Sequence, residues 1–377
     1  MKKNYVMLAF ATLMMAACAN NDLVDEVVKE EVPQAIGFET FSNKISRQVT
    51  AATALNSYHD AFGVWAYKTV GNLTPTVMDN YKVKYTETET TTTDDSGTTT
   101  TTTTDSWEYA TVDGQSLKYW DKQATNYKFY AYAPYVATPD DQDEAVVTIS
   151  ADGKISIVDG EYAANENLQS YIVDDEETGF TTTLNSKKFT GTGATATNAS
   201  TDWMIADAET VVTTKFGETV EEEFKHIMSK LIVILKSDDV AEGAEVEVTD
   251  VSINNVYGSG SYDGTSWTKS GDLKSIPGLV GKLESTNGYY SMEYLLIPYE
   301  YDDDVNQDSK VDYVPTFSIT YEVNGDKYTV NDAKITGIDK FEANTCYTLT
   351  ATIGLEPIVF TASAVDFTGK TGSVTIQ

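Results

Sequence analysis

The chain has 377 residues and a formal net charge of −32, from 58 acidic and 26 basic side chains. So large a negative charge argues against a nucleic-acid-binding protein, because phosphate backbones require a basic surface. With two cysteines and two histidines, there is little material for a disulfide framework or a histidine-based metal site, and we expect no metal and no cofactor.

The N-terminus has the organisation of an export signal. Lys2 and Lys3 precede an apolar stretch that ends at the small pair Ala16–Ala17, directly before Cys18. The stretch is shorter than the roughly 20 residues that a membrane-spanning helix needs. Residues 1–18 therefore predict a lipoprotein signal peptide with a lipobox, in which Cys18 is lipidated. The alternative is an ordinary signal peptide with an incidental cysteine.

The body of the chain has the pattern of short antiparallel strands. Residues 319–323 alternate apolar and polar side chains up to Asn324–Gly325, and the alternation resumes at Tyr328. A two-residue turn of this type closes a β-hairpin. Residues 149–157 repeat the arrangement around Asp152–Gly153. We therefore predict an all-β fold.

A threonine-rich segment lies between Tyr81 and Val112, with its threonines on either side of Asp94–Gly97. Threonine has a high strand propensity, and the Asp-Asp-Ser-Gly sequence is typical of a turn. The segment predicts a protruding, solvated hairpin, and a disordered low-complexity loop is the alternative.

A change of composition predicts a boundary between two domains. A small-residue stretch at 190–201 and an acidic stretch at 218–223 precede residues 231–235, which are apolar on both faces as in a central strand. We predict an N-terminal β-sandwich over residues 48–222, with the threonine-rich hairpin as an insertion, and a C-terminal β-sandwich over residues 223–377.

Residues that could carry catalysis or ligand binding form no convincing set. His59 and His226, the two histidines, lie far apart in sequence, and no pair of carboxylates stands out for hydrolysis. A calcium-like run of oxygen ligands begins at Asp302, but Gln307 and Tyr313 replace the glycine and glutamate that such a loop requires. We therefore predict a protein that is not an enzyme.

Exposed aromatic side chains leave a glycan-binding role open. Four tryptophans are candidates for a sugar-binding platform: Trp107, Trp120, Trp203 and Trp267. In β-sandwiches such residues more often pack in the core.

Arg47 is the only arginine among the 26 basic residues. Upstream of it, Ile36, Phe38 and Thr40 alternate and would share one face of a strand. A cut between Arg47 and Gln48 would remove residues 19–47 as a propeptide together with this strand. If the strand lies at the edge of a sandwich, its loss exposes an apolar groove and unpaired backbone groups, which a strand from another chain could fill.

Several segments resemble the fimbrillin family of Bacteroidota, in the same order along nearly the whole chain. These segments are IGFETF (36–41), FGVWAYK (62–68), YKFYAYAPY (127–135), DWMIADAE (202–209), FKHIMSKLIVILK (224–236), YLLIPY (294–299), FEANTCYTLTATIG (341–354) and EPIVFTASAVDF (356–367).

The resemblance implies two transthyretin-like antiparallel β-sandwich domains in tandem, export as an outer-membrane lipoprotein, and arginine-specific removal of the first strand. It further implies a cell-surface fimbrium, the type V pilus, built by strand donation between copies of this chain and related subunits, with adhesion to host or bacterial surface ligands. Many family members end near a tryptophan, whereas this chain has Phe367 and continues to Gln377. The resemblance implies that the donor strand comes from the C-terminal region, from residues 358–367 or from residues 373–376, and the candidate inward residues are Val359, Val365, Phe367, Val374 and Ile376.

We accordingly expect a stalk subunit that polymerises after processing. An uncleaved anchor or accessory fimbrial lipoprotein is one alternative, and a glycan-binding surface lipoprotein is another. A hydrolase would have to show turnover that depends on one carboxylate pair.

Overall fold

The computed structural model confirms the all-β prediction, with strands throughout and a short 3-10 turn at Thr213–Lys215. It describes residues 33–42, 55, 59–93, 97–109, 115–138, 146–161, 170–172, 190–192, 202–237, 244–278, 280–283, 289–300, 314–335, 337–338, 340–353, 359–366 and 373–374. Within these ranges we find no helix long and apolar enough to span a membrane.

The strands of the first half of the chain are β1 Phe38–Ser42, β2 Ala61–Thr69, β3 Thr76–Thr93, β4 Thr99–Glu108, β5 Asn126–Ala133, β6 Val147–Ile149, β7 Ile155–Glu161, β8 Ser170–Ile172, β9 Thr190–Thr192, β10 Met204–Ala206, β11 Glu209–Val212 and β12 Val220–His226. Those of the second half are β13 Ser229–Ser237, β14 Val246–Tyr262, β15 Trp267–Pro277, β16 Val280–Leu283, β17 Tyr289–Leu296, β18 Tyr299–Glu300, β19 Thr316–Val323, β20 Asp326–Lys334, β21 Lys340–Phe341, β22 Thr345–Ile353, β23 Val359–Asp366 and β24 Ser373–Val374.

The first sheet closes on itself. Its strand order is β10-β12-β1-β4-β3-β2-β5-β11, and β10 also pairs with β5. Pairing therefore runs from β12 through β1, β4, β3, β2, β5 and β10 back to β12. An apolar core that includes Phe62, Phe129 and Phe224 belongs to these strands.

Strand β1 lies inside this sheet, between β12 and β4, so the edge position considered from the sequence does not apply. It pairs in parallel with β12 over five residues and in antiparallel with β4 at Phe38 and Trp107. The sequence could not show this, because β12 follows β1 by about 180 residues.

Two further sheets face one another across a second core. One has the order β24-β23-β22-β13-β17-β8, and the other has the order β20-β19-β14-β16-β9 with β15 and β7 also pairing with β14. Their core includes Leu231 and Val233 of β13 and Ile319 of β19. Residues 231–235 form the predicted central strand, since β13 lies between β17 and β22. Most strand pairs among the described residues are antiparallel as predicted, but β13 with β22 and β1 with β12 are parallel.

The predicted limits of the two domains, 48–222 and 223–377, do not coincide with the sheets. Residue 222 lies in the middle of β12, which belongs to the first sheet through its last residue, His226. Strands β7, β8 and β9, within the predicted N-terminal domain, pair with β14, β17 and β16 of the later sheets. A division into tandem transthyretin-like domains stays a prediction.

A third apolar cluster joins the first sheet to the later ones. Trp65 of β2 stacks on Tyr132 of β5 at 5.3 Å between ring centroids. The same cluster contains Ile157 of β7, Met228 between β12 and β13, and Ile297 after β17. Buried contacts therefore continue between the sheets of the described chain.

The predicted hairpins are present. Strands β19 and β20 meet at Asn324–Gly325, where both residues have positive φ, and β6 and β7 pair around Gly153. Strands β3 and β4 form the threonine-rich hairpin, whose exposed residues pair in register up to Thr93 and Thr99. Residues 94–96 at its tip lie outside the described ranges.

Candidate functional site

Residues 34–42, hereafter the leader segment, are hydrogen-bonded on both sides. The amide of Val220 donates to the carbonyl of Gly37 at 2.8 Å, on the side of β12. On the other side, the Ile36 amide donates to the carbonyl of Lys118 at 2.9 Å, and the Trp120 amide donates to the carbonyl of Gln34 at 3.0 Å. Removing the leader segment would therefore leave unpaired backbone groups on two neighbouring stretches of chain.

The inward face of the leader segment is apolar at its start. Ile36 and Phe38 are buried, while Glu39 is exposed, as the alternation predicts. The Phe38 ring packs edge-on against Phe62, Tyr109 and Phe129, with centroid distances of 5.8, 5.9 and 5.9 Å. These three rings form an aromatic pocket that Phe38 fills.

Tyr109 also fixes the leader segment through its hydroxyl group. The hydroxyl donates to the carbonyl of Ile36 at 3.1 Å or to that of Lys118 at 3.2 Å, and it accepts from the Lys118 amide at 3.0 Å. Burial raises the pKa of the Tyr109 phenol, so the group stays a neutral donor. One side chain thus contacts the ring of Phe38 and the backbone beside it.

The inward face becomes polar at Thr40, which pairs with Glu222 across β1 and β12. Both side chains are buried, Thr40 at 4% exposure and Glu222 at 0%. Among the described residues, neither the Thr40 hydroxyl nor either carboxyl oxygen of Glu222 has a hydrogen-bond partner. Burial, with the charge of Glu209 as a smaller cause, raises the pKa of Glu222 well above its ordinary value.

This raised pKa makes the stability of the uncleaved chain depend on pH. Folded Glu222 holds its proton more tightly than unfolded Glu222, so its contribution to stability is complete below about pH 4.3 and is lost as the pH rises toward the folded pKa. Glutamine cannot ionise. We expect Glu222→Gln to be more stable than the wild type at pH 7.5, by about 1.4 kcal/mol for each unit by which burial raises the folded pKa toward that pH, and nearly equal to it at pH 4. Thermal unfolding at the two pH values measures the difference.

Glu221→Gln is the matched control for this comparison. Glu221 precedes Glu222 on the exposed face of β12, so its substitution removes the same charge without changing the core. We expect a small effect that is similar at both pH values. An equal gain from both substitutions at pH 7.5 would mean that net charge, and not burial, controls the difference.

The two histidines meet at Asp202, although they are far apart in sequence. Nδ1 of His226 lies 2.9 Å from Oδ1 of Asp202, and Nε2 of His59 lies 2.6 Å from its backbone carbonyl oxygen. Burial lowers the pKa of His59, against a smaller opposing effect of Asp202. His226 is buried where β12 ends. The contacts tie the chain before β2 to the end of β12.

The four tryptophans mostly pack within the protein. Trp120 and Trp203 are buried. Trp107 packs on Phe62 at 5.2 Å, and the Trp267 ring nitrogen donates to the carbonyl of Ile227 at 2.7 Å. These contacts favour a structural role over a sugar-binding platform.

The residues predicted for processing and donation are only partly described. Cys18, Arg47, Gln48, Phe367 and Ile376 lie outside the described ranges. The backbone of Val359 and Val365 belongs to β23, and that of Val374 belongs to β24. Strand β23 pairs with β22 along its whole length, whereas β24 covers it only opposite Ala362 and Ser363.

Sequence reasoning missed Glu222 and Tyr109. For Glu222 a signal existed, because strand alternation places it on the same face as Val220 and Phe224, but three consecutive glutamates suggested only an acidic stretch. The position of Tyr109 beside the leader segment depends on long-range pairing that the sequence does not reveal.

A model of fimbrillin-like proteins matches residues 50–366. The chain belongs to the fimbrillin-like family.

Among known relatives, the fimbrium subunit Fim1C of Phocaeicola vulgatus is 24% identical over 158 residues, which are 40% of this chain and 35% of the relative. The chain thus matches about a third of that relative's length. A fimbrial protein from Bacteroides vulgatus is similar in structure, with 18% identity, a TM-score of 0.47, and coverage of 89% of this chain and 99% of the other. The truncated tip fimbrial protein Mfa3 from Porphyromonas gingivalis has 10% identity and a TM-score of 0.33, covering 82% and 94% of the two chains.

Proposed function

We propose that the protein is a non-enzymatic stalk subunit of a cell-surface fimbrium, polymerising by strand exchange after its leader segment is removed. It is exported as a lipoprotein precursor that Cys18 anchors to the outer membrane, and an arginine-specific protease cuts between Arg47 and Gln48. The partners are further copies of this chain and related fimbrial subunits.

The observation that carries this proposal is the position of β1 between β12 and β4. The leader segment has apolar contacts on its inward face and backbone hydrogen bonds on both sides. Its removal therefore creates a groove with an exposed apolar surface and with backbone groups that have lost their hydrogen-bond partners. Another strand can fill such a groove with main-chain hydrogen bonds for affinity and side-chain pockets for specificity. We name the space left between β12, β4 and residues 118–120 the leader groove.

Membership of the fimbrillin-like family supports assembly as the purpose of this groove. Arg47 supports the processing step, because it is the only arginine in the chain and the product of the cut contains no other arginine-specific site. Arg47 follows Ser42, the last residue of the leader segment, after a short stretch of chain, so the proposed cut lies just beyond the leader segment.

Mass spectrometry of subunits from purified fimbriae tests the proposal. We expect a mature N-terminus at Gln48 in subunits along the shaft. An intact N-terminus with lipidated Cys18 in the fimbriae would instead identify an uncleaved anchor. Absence of the protein from fimbriae, with the uncleaved lipoprotein on the cell surface, would overturn the assembly function.

A further inference from the structure

The threonine-rich hairpin extends beyond the first sheet as a two-stranded arm. Strand β3 pairs with β2 only as far as Lys84, and β4 pairs with β1, among the described residues, only at Trp107. Beyond these points the strands of the described chain that pair with β3 and β4 are β3 and β4 themselves, and residues 87–93 and 99–105 are exposed. Each strand of the arm therefore has an outer edge that no other described strand covers.

The two outer edges differ in charge. On β3, Glu87 and Glu89 lie in the exposed part, and charged side chains on an edge strand discourage pairing with another chain. The edge of β4 is a run of seven consecutive threonines, residues 98–104, that ends at Asp105. A strand with high β propensity and with no charge or proline lacks the features that usually protect an exposed edge. In a chain with a net charge of −32, two copies can therefore approach each other along this edge with little local repulsion.

Threonines of this run already pair with threonines inside the hairpin. The hydroxyl groups of Thr91 and Thr101 lie 3.3 Å apart across the two strands, and those of Thr93 and Thr99 lie 3.2 Å apart. Cross-strand threonine pairs of this kind stabilise antiparallel sheets. A second copy of the run can form the same pairs, so the outer edge of β4 is complementary to itself.

We propose that β4 of one chain pairs antiparallel with β4 of a second copy about a twofold axis at Thr101, joining the two hairpins into one four-stranded sheet. Thr98 then lies opposite Thr104, so that all seven threonines are paired, and Asp105 lies opposite Gly97. The inference goes beyond the proposed strand exchange, because it concerns a contact between chains that are already folded. Between subunits of neighbouring fimbriae, this contact holds the fimbriae side by side.

Charge and symmetry select this arrangement over its alternatives. Parallel pairing in register brings Asp105 of the two copies side by side, whereas antiparallel pairing separates them to opposite ends of the overlap. Moving the twofold axis to Thr102 puts Asp105 opposite Thr99 and so pairs fewer threonines with threonines. A symmetric contact also uses the same edge on both partners and requires no second surface.

The length of the hairpin keeps the rest of the two acidic chains apart. With the axis at Thr101, the two Trp107 residues at the bases of the hairpins are separated by about twelve residues of strand, or about 40 Å. Charges in physiological salt are screened over about 8 Å. The contact therefore forms without bringing the bases of the two hairpins within range of strong repulsion.

Disulfide cross-linking on intact cells tests the position of the axis. Thr101→Cys places the thiols of the two copies at the axis. Thr91→Cys is the matched control, because it places them at the same level of the hairpin but on β3, about 14 Å apart. Cells that produce the full chain are oxidised with copper phenanthroline, and the denatured proteins are separated on a non-reducing gel.

We expect about tenfold more covalent dimer from Thr101→Cys than from Thr91→Cys, since only the first brings two β-carbons within the roughly 4 Å that a disulfide requires. The wild type, in which Cys346 is buried, gives the background. No dimer from Thr101→Cys above this background, or as much dimer from Thr91→Cys, would overturn the inference.

Two charge variants test the same edge without an added cysteine. Thr101→Glu puts two carboxylates opposite each other at the axis, whereas Thr91→Glu adds the same charge to the hairpin on β3. In electron micrographs we expect bundled fimbriae from the wild type and from Thr91→Glu, and single fimbriae of normal length from Thr101→Glu. Wild-type fimbriae that do not bundle, bundles that persist in Thr101→Glu, or an equal loss of bundles in Thr91→Glu would each contradict the pairing. Absence of fimbriae from the wild type would contradict the proposed function instead, and the cross-link would still decide the pairing.

Discussion

Arg47→Ala should abolish fimbriae and leave an uncleaved, folded precursor on the cell surface. Without the cut, the leader segment stays covalently attached, so a donor strand must compete with a tethered occupant. An attached segment has an effective concentration in the millimolar range, which intermolecular donors rarely exceed. Electron microscopy of cells and the precursor mass on a gel measure the outcome.

Two control variants separate processing from charge. Arg47→Lys keeps the positive charge but removes the arginine-specific site, so we expect the same loss of fimbriae. Lys44→Ala removes a nearby positive charge and keeps Arg47, so we expect normal fimbriae. Abundant fimbriae from Arg47→Ala, built of subunits that keep residue 38, would contradict assembly by exchange of the first strand.

Local features of the fold could be predicted because they depend on short-range patterns. The alternation at Ile36, Phe38 and Thr40 gave the correct buried face of the leader segment, since side chains in a strand alternate. The turn at Asn324–Gly325 was predictable because its positive φ values favour asparagine and glycine.

The arrangement of the strands could not be predicted, because pairing partners far apart in sequence have no local signal. The insertion of β1 beside β12 depends on such a contact, and so does the pairing of β7 with β14. The same holds for the candidate site, where Glu222 becomes notable only once it is buried beside Thr40. Arg47 could be recognised in the sequence as a candidate cleavage site because it is the only arginine. It lies outside the described ranges.

The position of β1 within a closed circuit of strands changes what its removal does. Loss of an edge strand exposes one line of backbone groups. Loss of β1 interrupts the circuit between β12 and β4, and uncovers the aromatic pocket and Glu222. In the proposed assembly route, the leader segment therefore protects the uncleaved chain from association, despite a free-energy cost at Glu222.

Phe38→Ala should destabilise the uncleaved precursor by about 3–5 kcal/mol, the usual cost of removing a buried phenylalanine ring. The ring is 5% exposed and contacts three aromatic neighbours, so truncation leaves a cavity in the pocket. Chemical denaturation of the precursor measures the change. We also expect faster cleavage at Arg47, because a loosened leader segment opens the adjoining chain more often.

Glu39→Ala is the matched control, because Glu39 is exposed on the opposite face of the same strand. We expect a change of stability close to zero. A further control comes from processing itself, since cleaved Phe38→Ala and wild-type subunits have the same sequence from Gln48 onward. Their assembly rates must then be equal. If Phe38→Ala lowers only the stability of the precursor, the role of Phe38 is to hold the leader segment in the groove. An unchanged midpoint for the Phe38→Ala precursor would mean that the leader segment does not fill the aromatic pocket in solution.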